Sequence, residues 1–186
     1  MTPKSAKIRM NRLGISLLMG SALVHPLGAH ANVGSSPYQR HSICLKKEKV
    51  IVAFTIEKSG KLVSVCEGTT PSYLVYRFGK QSKIELQIPA RNAKSWSFFR
   101  FDSRTRPGGP TEGGFGEYSL RFSNQQADYT ILQNWNNATQ SYGIAVAVDT
   151  NKKSVLLKGA PNSQIGSLVL LETEAEKIPN GHFANE

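Results

Sequence analysis

Four stretches of this chain alternate apolar and polar residues with period two, and each is folded back on itself by a short turn. Helical periodicity is nearly absent after residue 41, so the pattern demands half-buried strands. In "VIVAFTIEKSGKLVSVCEG", Val50, Val52, Phe54 and Ile56 share one face and meet Val63 and Val65 across a Ser59-Gly60 turn. The other face carries Ile51, Ala53 and Thr55 beside Ser64 and Cys66. "SYLVYRFGKQSKIELQIP" repeats the design, with a loop at 79–81 that pairs Leu74 with Leu86 and Tyr76 with Ile84. A third hairpin sets Leu120 against Ile131 and Phe122 against Tyr129; a fourth sets Val146 against Leu157 and Val148 against Val155. "SWSFFRF" and "SLVLLE" supply two further strands. The expected fold is all-β: a single antiparallel barrel or sandwich of about ten short strands joined by hairpins.

The first thirty-one residues read as a signal peptide. Lys4, Lys7, Arg9 and Arg12 precede the apolar run "LGISLLMGSALVHPLG", and Ala29-His30-Ala31 is a small-x-small cleavage site. A transmembrane helix needs roughly 20 strongly apolar residues, whereas this run is shorter and broken by His25-Pro26. Cleavage after Ala31 leaves a flexible arm over 32–41, one β domain over 42–172 and a polar tail over 173–186, with no transmembrane segment in the mature chain. Four of the 23 basic residues precede the cut, leaving 19 against 13 acids, a net charge of +6. The lysines are scattered, which suits solubility as well as attraction of anions, and nucleic acid is not an expected partner. The expected location is the periplasm or the exterior.

In that oxidising setting Cys44 and Cys66, the two cysteines of the chain, are expected to form a disulfide. If residues near Cys44 were the first strand of a flat meander, they would lie about 9.6 Å from the strand of Cys66. Disulfide Cα atoms rarely exceed about 7 Å. Residues 40–45 should therefore cross over or leave the sheet and be pinned to the face bearing Cys66, with small Ala53 beside the bridge.

Catalytic material is sparse. The mature part holds two histidines, His41 and His182, one near each end, and no G-x-S-x-G elbow. Asp102, Glu112 and Glu117 flank one segment as an incomplete carboxylate set. No phosphate-binding glycine motif opens a helix. The expectation is a protein that is not an enzyme and that uses no cofactor and no metal.

One segment stands apart. "RFDSRTRPGGPTEGGFGEY", residues 100–118, gathers Arg100, Arg104 and Arg106 at its start and Phe115 near its end, around five glycines. A long loop on a rigid β scaffold is where binding residues concentrate, and a guanidinium fork suits carboxylate or phosphate. A weaker candidate is "QNWNNATQSY", where Trp135 and Tyr142 flank polar residues as in many carbohydrate-binding loops.

The pieces "SICLKK", "YRFGKQSKIELQIP", "YSLRFSN" and "YGIAVAV" resemble a family of small, uncharacterised exported proteins of proteobacteria. The layout is also similar to the periplasmic lysozyme inhibitors, disulfide-containing antiparallel β proteins that plug an enzyme cleft with a loop. Their S-G-x-x-Y motif is missing, since Ser59-Gly60 is followed by Lys61-Leu62-Val63. What the resemblance implies is a β scaffold presenting a loop to a partner. The expected function is binding of another macromolecule through 100–118, as an inhibitor or immunity-type protein. The rival expectation is recognition of anionic envelope glycan or lipid headgroups by the arginines.

Overall fold

A computed structural model describes residues 41–70, 72–90, 95–109, 111–124 and 126–178. Residues 1–31, expected to be a signal peptide, nearly all of the expected 32–41 arm and the end of the expected polar tail lie outside the described residues.

The described residues form ten strands in two five-stranded antiparallel sheets, a sandwich-like arrangement in which neither sheet closes into a barrel. The first sheet comprises β1 (Glu48–Thr55), β2 (Leu62–Thr69), β3 (Ser72–Lys80), β4 (Lys83–Ile88) and β10 (Ile165–Gly166), in the order β10-β1-β2-β3-β4. The second comprises β5 (Arg100–Arg106), β6 (Phe115–Ser123), β7 (Asp128–Asn136), β8 (Ser141–Thr150) and β9 (Lys153–Lys158), ordered β5-β6-β7-β8-β9. A single bridge, Ile56 to Gly159, joins the end of β1 to the end of β9. Ala160 N–H donating to Thr55 O at 2.7 Å and Glu57 N–H donating to Lys158 O at 3.0 Å extend that seam. No helix among the described residues is long and apolar enough to cross a membrane.

The core lies between the sheets. Phe54, Val63, Val65, Leu74 and Tyr76 face Phe99, Leu120, Phe122, Ile131 and Val146, all almost fully buried. Each such side chain contributes about 1.5–3 kcal/mol relative to exposure. Tyr76 of β3 packs on Phe122 of β6 at 4.6 Å between ring centroids, and Phe122 stacks on Tyr129 at 5.4 Å. The third and fourth hairpins hold the registers that the alternation demands: Leu120 opposite Ile131, Phe122 opposite Tyr129, Val146 opposite Leu157 and Val148 opposite Val155.

Elsewhere the structure departs from the sequence pattern. In the second hairpin a turn at 81–82 sets Lys80 opposite Lys83, and a bulge at Phe78/Gly79 sets Phe78 opposite Leu86 and Tyr76 opposite Ile88. The expected pairs Leu74–Leu86 and Tyr76–Ile84 are overturned. Alternation fixes the face of a strand but tolerates a slide by an even number of residues, here four. Gly79, at φ +150, supplies the bulge; a Cβ there would come within 2.4 Å of Lys83 O. "SWSFFRF" begins as a 3-10 turn, Ser95–Phe98, and the strand starts only at Arg100. Ser95 Oγ accepts from Leu74 N–H at 2.8 Å and the Trp96 indole donates to Ser72 Oγ at 3.1 Å, so both side chains dock the turn on β3.

"SLVLLE" is not a strand but the start of a 3-10 helix, Leu168–Lys177. A short apolar run fits either structure; here Ser167 caps the helix by accepting from Val169 N–H at 3.2 Å. Leu168 and Leu171 enter the core while Val169 and Leu170 stay exposed. The helix passes residue 172, where polar composition begins the tail, and Ile178 beyond it is buried.

Cys44 and Cys66 are bonded, with Cα atoms 5.5 Å apart. Residues 41–45 belong to no strand and lie against the outer face of the first sheet, where Ile43 N–H donates to Ser64 Oγ at 3.0 Å. Cys66 is opposite Val50, however, and Ala53 is opposite Ser64. A turn over 57–60 pairs Thr55 with Leu62 and hence Ala53 with Ser64, which overturns the expected Ala53–Cys66 neighbourhood. A bulge between Val50 and Val52 then turns Val50 to the disulfide side and lets Ile51 into the core.

Under this cover Arg77 and Glu48 form an ion pair whose side chains are each 1 % exposed. Arg77 Nη2 donates to Glu48 Oε1 at 2.8 Å, Arg77 Nε to Gln87 Oε1 at 2.8 Å, and the Tyr73 hydroxyl to Glu48 Oε1 at 2.6 Å.

Candidate functional site

The segment expected to be one long loop over 100–118 is mostly strand: β5 and β6 pair from Arg100–Arg121 to Arg106–Phe115, leaving a loop at 107–114. Alternation along β5 turns Phe101 into the core and puts Arg100, Asp102, Arg104 and Arg106 on the opposite face. Along that face Arg104 stands opposite Glu117, and Arg106 opposite Phe115. Both guanidinium carbons lie 5.4 Å from the Phe115 ring centroid, a double cation–π contact. Arg106 Nη2 also donates to Gly113 O at 2.6 Å.

Arg100 does not join them. It sits at the other end of β5, about 20 Å along an extended strand, and donates from Nη1 to Ser97 O at 3.3 Å and Phe99 O at 3.2 Å. The expected cluster of three arginines is therefore a pair with Phe115 and a separate Arg100.

Glycine makes the 107–114 loop compact. Gly113 has φ +69, and a Cβ on Gly114 would fall 2.2 Å from Gly108 O, so the two limbs touch backbone to backbone. Gly113 N–H donates to Gly109 O at 3.0 Å, and Gly109 N–H to Glu112 Oε2 at 3.3 Å. The next turn braces the loop from outside. Asn137 Nδ2 donates to Gly108 O at 2.7 Å and Asn137 N–H to Gly114 O at 2.8 Å. The tip is thus held at both limbs and by its own arginine.

The carboxylates of this region have separate partners. Asp102 is buried and engaged by the Arg121 guanidinium and, at 3.5 Å, by the Ser119 hydroxyl. Glu112 closes the loop tip, and Glu117 stands opposite Arg104. Among the described residues the potential metal-binding group of three is Cys44, Glu48 and Cys66. Its sulfurs are spent on the disulfide and its carboxylate on Arg77.

Trp135 and Tyr142 are cross-strand partners in β7 and β8. Trp135 is half-buried, its ring lying over Gly116, where a Cβ would be 2.2 Å from Nε1. Tyr142 is 54 % exposed and lines a cleft of about 940 Å3. The cleft floor is Gly143 and Ala145 of β8, flanked by Leu132 of β7 and Leu156 of β9, and residues 159–164 form one wall. Burial pushes the Tyr142 hydroxyl above its ordinary value, and a hydrogen bond from Gln164 draws it back in part.

Sequence reasoning missed this cleft. Its signal was the small-residue row Gly143, Ala145, Ala147 on one face of β8, with Ile144, Val146 and Val148 on the other. A scan against protein-family models finds no match to the chain, and neither a curated protein nor a solved structure matches it.

Proposed function

We propose that the protein is a non-catalytic β domain that binds another protein, in the manner of an inhibitor or immunity-type protein, through the β5–β6 hairpin tip. The observation that carries this reading is the build of the tip. Arg104 and Arg106 each stack on Phe115 beside a loop held by six hydrogen bonds among the described residues, so little ordering cost falls on association. Arginine and aromatic side chains are the residue types that most often anchor an interface. The disulfide supports a site of action outside the reducing cytosol, in the periplasm or beyond the cell.

The paired guanidiniums also support a second reading, recognition of anionic envelope glycan or lipid headgroups. Capture from envelope extract and conditioned medium, with the full oxidised chain as bait at low and high salt, separates the two. A protein partner that survives high salt and is lost with Phe115→Ala supports the first. Glycan or lipid that is released by salt and lost with Arg104→Ala/Arg106→Ala supports the second, because exposed charge pairs are screened. A protein retained fully by Phe115→Ala and by the double arginine variant rules out the tip.

A further inference from the structure

The cleft beside Tyr142 is a second feature, and its chemistry does not depend on the hairpin tip. We propose that it is a binding site for a neutral saccharide of a few rings. Its volume of about 940 Å3 lies near the upper end of the range for small-ligand sites.

The lining selects the ligand class. Its carboxylates and cation are Glu57, Glu117 and Lys158, so the positive excess of this +10 chain is not expressed there. A phosphate or other anion would meet two carboxylates for one ammonium. Besides Gln133, whose amide is spent on Ser167 Oγ and Leu168 N–H, three carboxamides, Asn134, Asn162 and Gln164, line the same space. Each offers both a donor and an acceptor, the combination that sugar hydroxyls also carry. Gln164 Nε2 donates to Gly166 O at 2.9 Å, while its Oε1 is a buried acceptor with no partner among the described residues. A purely apolar ligand would leave these groups unsatisfied. Leu132 and Leu156, 42 % and 53 % exposed, offer the apolar surface on which the C–H face of a sugar ring packs. Tyr142, 54 % exposed, stands at the rim where β8 runs past the end of β9.

An extended peptide fits poorly over most of the floor. β7 is paired on both sides and β8 is paired with β9 from Ala145 onward, which leaves strand addition only the short stretch 141–143. The floor is also shaped around a side chain rather than left as a smooth channel. A Cβ on Gly143 would fall 2.5 Å from Asn134 Oδ1, so the Asn134 carboxamide lies over bare backbone.

The test is an NMR titration of the isotope-labelled, full-length, oxidised protein with chitotriose, cellotriose, maltotriose and mannotriose at millimolar concentration. The expected result is that at least one sugar shifts the amides of Asn134, Tyr142, Gly143 and Gln164 together. Tyr142→Ala should weaken that sugar roughly two- to tenfold, and Asn134→Ala should weaken it as well. Lys83→Ala, on the far edge of the other sheet, should bind it as the native chain does. The inference is overturned if no sugar in the panel moves these amides. It is equally overturned if acetyl-trileucine amide moves them and no sugar does, or if both cleft variants bind with native affinity.

Discussion

The buried Arg77–Glu48 pair gives the sharpest energetic prediction. Glu48→Gln removes the carboxylate charge but keeps most of the shape, stranding a guanidinium whose side chain is 1 % exposed. Breaking such a pair from one side costs about 3–5 kcal/mol. For a domain of this size that is a fall in Tm of roughly 10–18 °C. Arg77→Met should cost about as much, since it strands the carboxylate. The double variant Glu48→Leu/Arg77→Met removes both charges, and exchanging a whole buried pair for apolar groups is often close to neutral. Two groups would still lose an acceptor, the Tyr73 hydroxyl and Leu45 N–H, so a residual cost of about 1–3 kcal/mol is expected. Urea denaturation of the native protein, Glu48→Leu, Arg77→Met and their double variant, all oxidised, measures the cycle, with Glu48→Gln as the comparison that removes only the charge. Single variants that each cost under about 1 kcal/mol, or a double variant equal to the sum of the singles, would refute the reasoning.

Further outcomes follow from the same structure. Burial raises the Glu48 carboxyl, but hydrogen bonds from Arg77, Tyr73 and Leu45 N–H, with the Arg77 charge, outweigh it and hold the group below its ordinary 4.5. Its stabilising contribution is therefore complete above that value and is lost as pH falls below it; the gap between the native protein and Glu48→Gln should narrow in acid melts. Cys44→Ser/Cys66→Ser should cost about 3 kcal/mol by the chain-entropy account and speed amide exchange at Ile43, which bonds to Ser64 beneath the bridge. Gly166→Ala should cost roughly 1–3 kcal/mol in a thermal melt, for φ is +69 and the added Cβ would meet Ile51 O at 2.1 Å.

How much was legible in the sequence depended on what each pattern encodes. Alternation encodes the face, so Leu120–Ile131 and Val148–Val155 were readable, because their hairpins run without interruption. It does not encode where a turn closes or where a bulge falls: the turns at 57–60 and 81–82 displaced both hairpins of the first sheet, and the bulges at Ile51 and Gly79 added a further residue each. The cysteine argument succeeded because a covalent bond imposes a distance that a flat meander cannot meet. "SLVLLE" was unreadable as helix or strand, since Ser167 as a cap and Leu168/Leu171 as a face matter only once the core exists. Arg104, Arg106 and Phe115 were found as candidates, but glycine density suggested a longer loop than the strands leave. The cleft was missed because its floor is defined by side chains that are absent, at Gly143 and Ala145, and by residues 159–164, which come late in the chain.

The seam at Ile56 and Gly159 has a consequence for the order of assembly. Each of the seven long strands after β2, from β3 to β9, pairs with a strand adjacent to it in the chain, but β1 completes its hydrogen bonding only with residues 159–167. Those contacts span more than a hundred residues, and closing so long a loop is an entropic cost met late in folding. Both local hairpin arrays can form first; the two sheets become one cooperative unit when the last quarter of the chain arrives. A free chain truncated near residue 155 would hold most of its strands yet remain protease-sensitive, and a chain that also carries residues 156–178 should be resistant.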